Sequence, residues 1–415
     1  MRLFAISFML PPMLYPQAIQ IGRLLEGCDI ELATVNGQFV GDLCGPKGKD
    51  FSSRQKFIHR LMLPHLAPLK GLSHRLAMRF VPFYARSPDE FVAWSRHATQ
   101  AAGEWLKANP GAVDILATFG EPMSDHLVGL ELKERFGLPW VAHFSDPWAD
   151  NPFRSFQPLA NQRNRSLELK VIEAADSVIF TSEETRQLVM RKYPQAWMGK
   201  AFVLPHSFDP NDYPSTQRCG VGGKVVLRYL GNFYGHRTPF PLFSALERLY
   251  KSHPEILKNV QVELVGSTPS WMRWHPVLKR LPSDLLTFCN PVSYQRSLEL
   301  MSSADLLLVI DAPARHSVFL PSKLVDYIGS GKPIFGIVPP GASQILIDRL
   351  GGGTANPQKP DIIDAALLQA IKDAQAVRAS AAQWGDRSVR AAFEIQRVAA
   401  SFRGILEQTL SHSRS

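Results

Sequence analysis

Short apolar runs alternate with amphipathic stretches along most of the chain. In the first half, LFAISF (3–8), VDILATF (113–119), LPWVAHF (138–144), SVIFTS (177–182) and AFVLP (201–205) read as strands. Helical spacing of apolar residues marks 17–25, 123–136, 162–175 and 183–192. The strand runs are nearly all apolar, the mark of strands covered on both faces, so the pattern predicts a parallel sheet between helices. Residues 206–223 lose this periodicity and are rich in Pro, Asp, Ser and Gly, which reads as a linker. The alternation resumes with strands at 224–231, 260–266, 285–290, 304–310 and 333–338, and helices at 242–253, 294–303, 343–350 and 361–376. From 387 to 410, Val389, Phe393, Ile395, Val398, Phe402, Ile405, Leu406 and Leu410 predict one long terminal helix.

The expected fold class is therefore α/β, with two tandem doubly wound, Rossmann-like parallel-sheet domains. The expected boundaries are 1–205, a linker at 206–223, a second domain at 224–386 and a terminal helix at 387–415. Its 415 residues exceed one ordinary core and fit two. Ligands of such sheets sit beyond the carboxyl ends of the strands, so two facing domains predict one central cleft.

Charge adds one feature. The net charge is +9, and residues 51–86 hold seven Lys/Arg and no Asp or Glu, leaving about +2 for the rest. The same stretch is strongly apolar. It reads either as an insertion packing its apolar face on the core, or as a surface for an anionic membrane or lipid acceptor. No RNA- or DNA-binding motif accompanies it, so no nucleic-acid partner is expected. The four cysteines, Cys28, Cys44, Cys219 and Cys289, form no CxxC pair and suggest free thiols in a reducing compartment. MRLFAISFMLPP is too short and too soon broken by Pro11-Pro12 for a signal peptide, and reads as a first strand. The expected location is cytoplasmic, with peripheral contact at the inner face of a membrane through 51–86.

Two loops carry candidate chemistry. In LRYLGNFYGHRTPF (227–240) a strand ends at Gly231-Asn232, and a loop with Arg237 leads into a helix. Glycine lets backbone approach a ligand, and a helix start with an arginine favours an anion. In FLPSKLVDYIGSGKPIFGI (319–337), Pro321 suits an early helical position and Ser322 a cap. Lys323 adds a cation, Asp326 a carboxylate for sugar hydroxyls, and Gly329 and Gly331 a stop. Each loop alone also reads as an ordinary capped turn; together they suit a nucleotide diphosphate. The chain has no DxD motif, so neither a metal nor any other cofactor is expected.

At these residues the sequence resembles the GT-B glycosyltransferases, within them the retaining family 4-like group. The resemblance runs through AHFSDPWADNPF (142–153), AADSVIFTSEETRQLVMRKYP (174–194), VLPHSFDP (203–210), LGNFYGHRTPFPLFSAL (230–246) and PSKLVDYIGSGKPIFGIVPPGAS (321–343). It implies a nucleotide-sugar donor held by the second domain and a glycan, lipid-linked or small-molecule acceptor held by the first. Gly231, Asn232, Arg237, Ser322, Lys323 and Leu324 would meet the diphosphate, with Asp326 at the ribose. The group's glutamate eight residues before the ribose acid is replaced by Val318, which passes the donor sugar to backbone groups or to Arg315, His316 or Ser317. The group's glycine-rich first loop is replaced by FMLPPMLYPQ (8–17). Asp146 and His143 are the polar candidates for the catalytic cleft, joined by Arg237 and Lys323 on the leaving group; a turn-forming Asp146 and a packed His143 are the plainer readings. The terminal helix would cross back onto the first domain. A nucleotide-sugar epimerase and a degenerate nucleotide-sugar-binding protein share this architecture and are the alternatives.

Overall fold

The computed structural model describes all residues except 12, 14, 27–30, 39–56, 65–70, 82–86, 153–157, 215–222, 381–382 and 415. It divides into two compact units, Met1–Pro205 with Ile395–Ser415, and His206–Glu394.

The first unit is built on a seven-stranded sheet. Its strands are β1 (Arg2–Ile6), β2 (Glu31–Gln38), β3 (Phe57–Pro64), β4 (Ile115–Gly120), β5 (Trp140–Phe144), β6 (Ser177–Phe180) and β7 (Ala201–Val203). The order is β3-β2-β1-β4-β5-β6-β7 and every pairing is parallel. Successive residues serve opposite faces. Phe4, Ile6, Leu116 and Phe144 join one core layer; Leu3, Ala5, Ile115 and Val141 join the other. This two-sided burial is why the strands read as unbroken apolar runs.

Two of these strands were not predicted. β2, with the sequence ELATVNGQ, is too polar to stand out. β3 lies inside the 51–86 stretch, which therefore supplies the sheet's outer strand and the helix Gly71–Phe80 instead of a plain insertion.

The second unit holds a six-stranded, all-parallel sheet. Its strands are β8 (Val225–Leu230), β9 (Val260–Val265), β10 (Leu286–Cys289), β11 (Leu306–Ile310), β12 (Ile334–Ile337) and β13 (Gly353–Ala355), in the order β10-β9-β8-β11-β12-β13. Leu306, Leu308 and Ile310 face one layer, and Leu307 and Val309 the other. Both sheets carry helices at their connections, which makes the fold two doubly wound parallel-sheet domains.

The terminal helix is not continuous. Asp386 caps a short helix Arg387–Ala391 by accepting from the amides of Ser388 and Val389. The chain then turns, because Phe393 enters the second unit's core and its carbonyl accepts from the Phe208 amide at 2.9 Å. A new helix, Ile395–Arg414, packs Val398, Ala399, Phe402, Ile405 and Leu406 beside Leu3 and Ile115 of the first unit. Full burial of a side chain such as Phe402 or Leu406 contributes about 2 kcal/mol. Ser177 Oγ and Thr409 Oγ1 hydrogen-bond at 2.8 Å inside this packing.

Candidate functional site

β8 ends at Leu230, and Gly231 follows at φ 149°. A side chain there would start 3.2 Å from Lys323 Nζ and 3.3 Å from the Tyr229 hydroxyl. Glycine thus leaves the lysine room. At the end of the neighbouring β9, Gly266 has φ 138°, and a Cβ would lie 2.1 Å from the Gly231 carbonyl oxygen. The two strand ends meet backbone to backbone. Asn232 Oδ1 accepts from the Ser267 amide at 2.8 Å, so this exposed residue ties the two loops together.

Beyond it the chain makes a tight turn. Tyr234 and Arg237 pair, with Gly235 at φ 56° between them. The Arg237 guanidinium donates to Asp311 Oδ1 at 2.9 Å and to the Tyr234 hydroxyl at 3.2 Å. Its Nε is buried and has no hydrogen-bond partner. Burial works against this charge, but Asp311 and the two tyrosines outweigh it and raise the Arg237 pKa. Asp311 directly follows β11, so Arg237 is aimed at the carboxyl end of the central strands.

The helix Ser322–Ser330 supplies the other side. Its N-cap is Pro321, with no side-chain cap; Ser322 is the first helical residue, not the cap expected of it. Tyr327 fastens this helix to β8: its hydroxyl accepts from the Leu230 amide at 2.8 Å and donates to the Leu230 carbonyl at 3.4 Å. One turn earlier, Lys323 Nζ donates to the Tyr229 hydroxyl at 3.0 Å and lies 4.4 Å from that ring's centre. Desolvation, then the charge of Arg237, lowers its pKa to about 7 against the opposite pull of Asp311. Leu324 is fully buried and its amide already donates to the Pro321 carbonyl. Asp326 is buried, its carboxylate accepting from the Tyr294 hydroxyl at 2.9 Å. Only Gly331 stops the helix, at φ 66°. Gly329 lies within it, where a Cβ would be 2.2 Å from the Tyr213 hydroxyl.

Of the residues expected at a donor sugar, Arg315 and His316 are exposed and Ser317 is buried. Ser317 is pinned through its backbone: its amide donates to Pro340, and its carbonyl accepts from Ala342. Gly341 permits this, since a Cβ would sit 1.9 Å from the Ser317 oxygen. Val318 is buried.

The structure thus brings together Gly231, Asn232, Arg237, Ser322 and Lys323, and adds Asp311, Tyr229 and Tyr327. Asp311 had a legible signal, an acid immediately after the apolar run LLLVI at a strand's carboxyl end. The tyrosines had none, because their rings are core residues.

His143 and Asp146 belong to the first unit. His143, on β5, is 6% exposed and its ring lies 5.6 Å from that of Phe119. Burial lowers its pKa to about 4, and its Nδ1 has no hydrogen-bond partner. Asp146 is half-buried in the turn after β5. Around these strand ends the structure adds groups that the sequence reading missed. Gln17 Nε2 donates to the Gly120 carbonyl at 3.0 Å and to the Ser145 hydroxyl. Asp125 accepts from the Phe8 amide at 2.8 Å, which secures the chain just after β1. Burial raises the Asp125 pKa well above the carboxylate range, and lowers that of the neighbouring His126 to about 3 with help from His143.

Among the described residues no cluster of three or more His, Cys, Asp or Glu could hold a metal, and no helix is long and apolar enough to cross a membrane. Of the cysteines, only Cys289 lies among the described residues, half-buried and unpaired.

No family model and no curated protein sequence matches the chain. Solved structures do. A sucrose-phosphate synthase from Thermosynechococcus elongatus is 16% identical with a TM-score of 0.68, covering 99% of each chain. The lipopolysaccharide outer core galactosyltransferase WaaB is 12% identical with a TM-score of 0.61, covering 98% of this chain and 99% of its own. A proposed UDP-N-acetylglucosamine 2-epimerase from Listeria monocytogenes is 12% identical with a TM-score of 0.61, covering 99% of this chain and 97% of its own. This likeness establishes the fold, the two-domain GT-B architecture.

Proposed function

We propose that the chain is a glycosyltransferase that moves a sugar from a nucleotide diphosphate to a glycan, lipid-linked or small-molecule acceptor in the cytoplasm. The observation that carries this reading is the meeting of Arg237, Lys323 and a helix start without a side-chain cap at the carboxyl ends of β8 and β11. Two cations beside a glycine that opens the backbone suit a diphosphate.

In the reaction the bond from the anomeric carbon to the diphosphate oxygen breaks, and a bond to an acceptor oxygen forms. Negative charge develops on the departing phosphate. Arg237, Lys323 and the helix-start amides stabilise that charge electrostatically, in place of a metal. The departing phosphate takes the acceptor's proton, and the anomeric configuration is retained. Asp326 exchanges its Tyr294 contact for ribose hydroxyls, and the exposed Arg315 and His316 read the donor sugar. Asp146 orients the acceptor hydroxyl. His143, buried and neutral, positions the turn that carries Asp146.

Thermal-shift screening of nucleoside diphosphates and their sugars, followed by turnover assays with and without acceptors, tests this. Binding that Arg237→Ala and Lys323→Ala each weaken by roughly tenfold or more, with turnover only when acceptor is present, is expected. Turnover of the free nucleotide-sugar without acceptor would assign an epimerase instead. Nucleotide binding unchanged in both variants would remove the donor site.

A further inference from the structure

The helix Gly71–Phe80 turns an apolar stripe to solvent. Leu72 is 71% exposed, Leu76 48% and Phe80 69%. Residues four apart stack along one side of a helix, so these three form a line. Arg75 and Arg79, both exposed, run alongside it, and the Arg79 guanidinium lies 5.5 Å from the centre of the Phe80 ring. Ala77, on another side of the helix, is buried. A surface helix normally buries its large apolar residues and shows its small and polar ones. Here an alanine is inside while two leucines and a phenylalanine are outside. Single exposed apolar residues are ordinary; an aligned set flanked by cations marks an interaction surface.

Charge selects the occupant. Residues 51–86 contain seven Lys/Arg and no acid. Arg60 is turned inward, its guanidinium donating to the Pro11 carbonyl. Arg75 and Arg79 are the described cations of this stretch on the outer side; Arg54, Lys56, Lys70 and Arg86 lie outside the described residues. The occupant must accept apolar side chains and offer negative charge beside them. A second copy of this helix would set arginine against arginine. Nucleic acid offers phosphates but no apolar bed for two leucines and a phenylalanine. An anionic bilayer offers headgroups to the guanidinium groups and acyl chains to the stripe. Ten residues of helix reach about 15 Å, too short to span and suited to lying in the interface.

We infer that the helix Gly71–Phe80 docks this protein reversibly on anionic lipid membranes, with Leu72, Leu76 and Phe80 inserted and Arg75 and Arg79 at the headgroups. This goes beyond the transfer reaction and stands independently of it.

Flotation of the full chain with vesicles tests it. Phosphatidylcholine vesicles are compared with vesicles containing about 30 mol% phosphatidylglycerol, at roughly 0.1 M and 0.5 M salt. At least tenfold stronger partition onto the anionic vesicles is expected, weakened by salt. Arg75→Glu/Arg79→Glu should lower that partition by tenfold or more, and Leu72→Ser/Phe80→Ser by a similar factor. All four side chains are exposed, so both variants should melt as the parent does. Equal binding to neutral vesicles, or variants that bind like the parent, would overturn the inference. So would a concentration-dependent dimer that Leu72→Ser/Phe80→Ser abolishes, or DNA binding that the arginine variant abolishes, when no vesicle binding is seen.

Discussion

The ammonium of Lys323 donates to the Tyr229 hydroxyl at 3.0 Å while lying 4.4 Å from the centre of the same ring. Burial and the nearby Arg237 hold its pKa at about 7, far below the ordinary lysine value of about 10.4. A bound diphosphate favours the charged form and pulls the pKa back up. Nucleoside diphosphate binding at pH 8 should therefore take up a proton, and affinity should fall as pH rises from about 7 towards 10. Calorimetry in buffers of different ionisation enthalpy reads this uptake directly. Lys323→Ala should abolish it and weaken binding by roughly tenfold or more at pH 6.5.

Arg237 and Asp311 form a pair whose side chains are 17% and 5% exposed. Removing the carboxylate leaves a largely buried cation unmatched. Asp311→Ala should cost on the order of 3 kcal/mol of folding stability by chemical denaturation. Arg237→Ala should weaken nucleoside diphosphate binding by about 10- to 100-fold. A stability loss for Asp311→Ala below about 0.5 kcal/mol would mean that water already neutralises the pair.

Gly266 approaches the Gly231 carbonyl too closely for any side chain, and its φ of 138° is strained for other residues. Gly266→Ala should lose roughly 2–5 kcal/mol, because backbone strain and overpacking add. Since the atom it strikes belongs to the β8 loop, nucleotide affinity should fall with stability. A control at Gly199, with open space around it, should change neither.

Most of the two sheets was legible because strands buried on both faces carry little but apolar residues; LFAI, ILATF, VVLRYL and LLLVI announce themselves. β2 was not, because Asn36 and Gly37 interrupt it, and β13 is only three residues long. The turn at 392–394 was hidden because Phe393 continues the apolar spacing of a helix while facing the second unit's core. In the candidate site the cations were readable from their loops. Their pairings were not: Asp311 is legible as an acid at a strand end but lies far from Arg237 in sequence, and Tyr229 and Tyr327 are core rings whose hydroxyls happen to reach strand and helix ends.

His126 and His143 are held neutral by burial, with pKa values of about 3 and about 4. Unfolding frees them to about 6.5, so the unfolded chain binds protons first as pH falls. Stability should drop between about pH 6.5 and pH 4. Asp125, raised by burial, acts in the opposite sense, but equally in parent and variant. The stability gap between parent and His143→Gln should therefore narrow as pH falls through this window, by on the order of 3 kcal/mol. Urea titrations at pH 7 and pH 4 measure it; a constant gap would mean that the folded chain leaves the His143 pKa where it stands in the unfolded one.

The helix Ile395–Arg414 belongs to the core of the first unit although its residues follow the whole of the second. On the ribosome, Leu3, Ala5 and Ile115 emerge early, and Phe402 and Leu406 must emerge before that layer can close. The usual order, in which the leading domain folds while the next is being made, is denied to this protein. Its first unit waits, with one side of its sheet uncovered, until the second has been synthesised in full. A chain released at residue 394 should therefore keep the later unit and lose the earlier one.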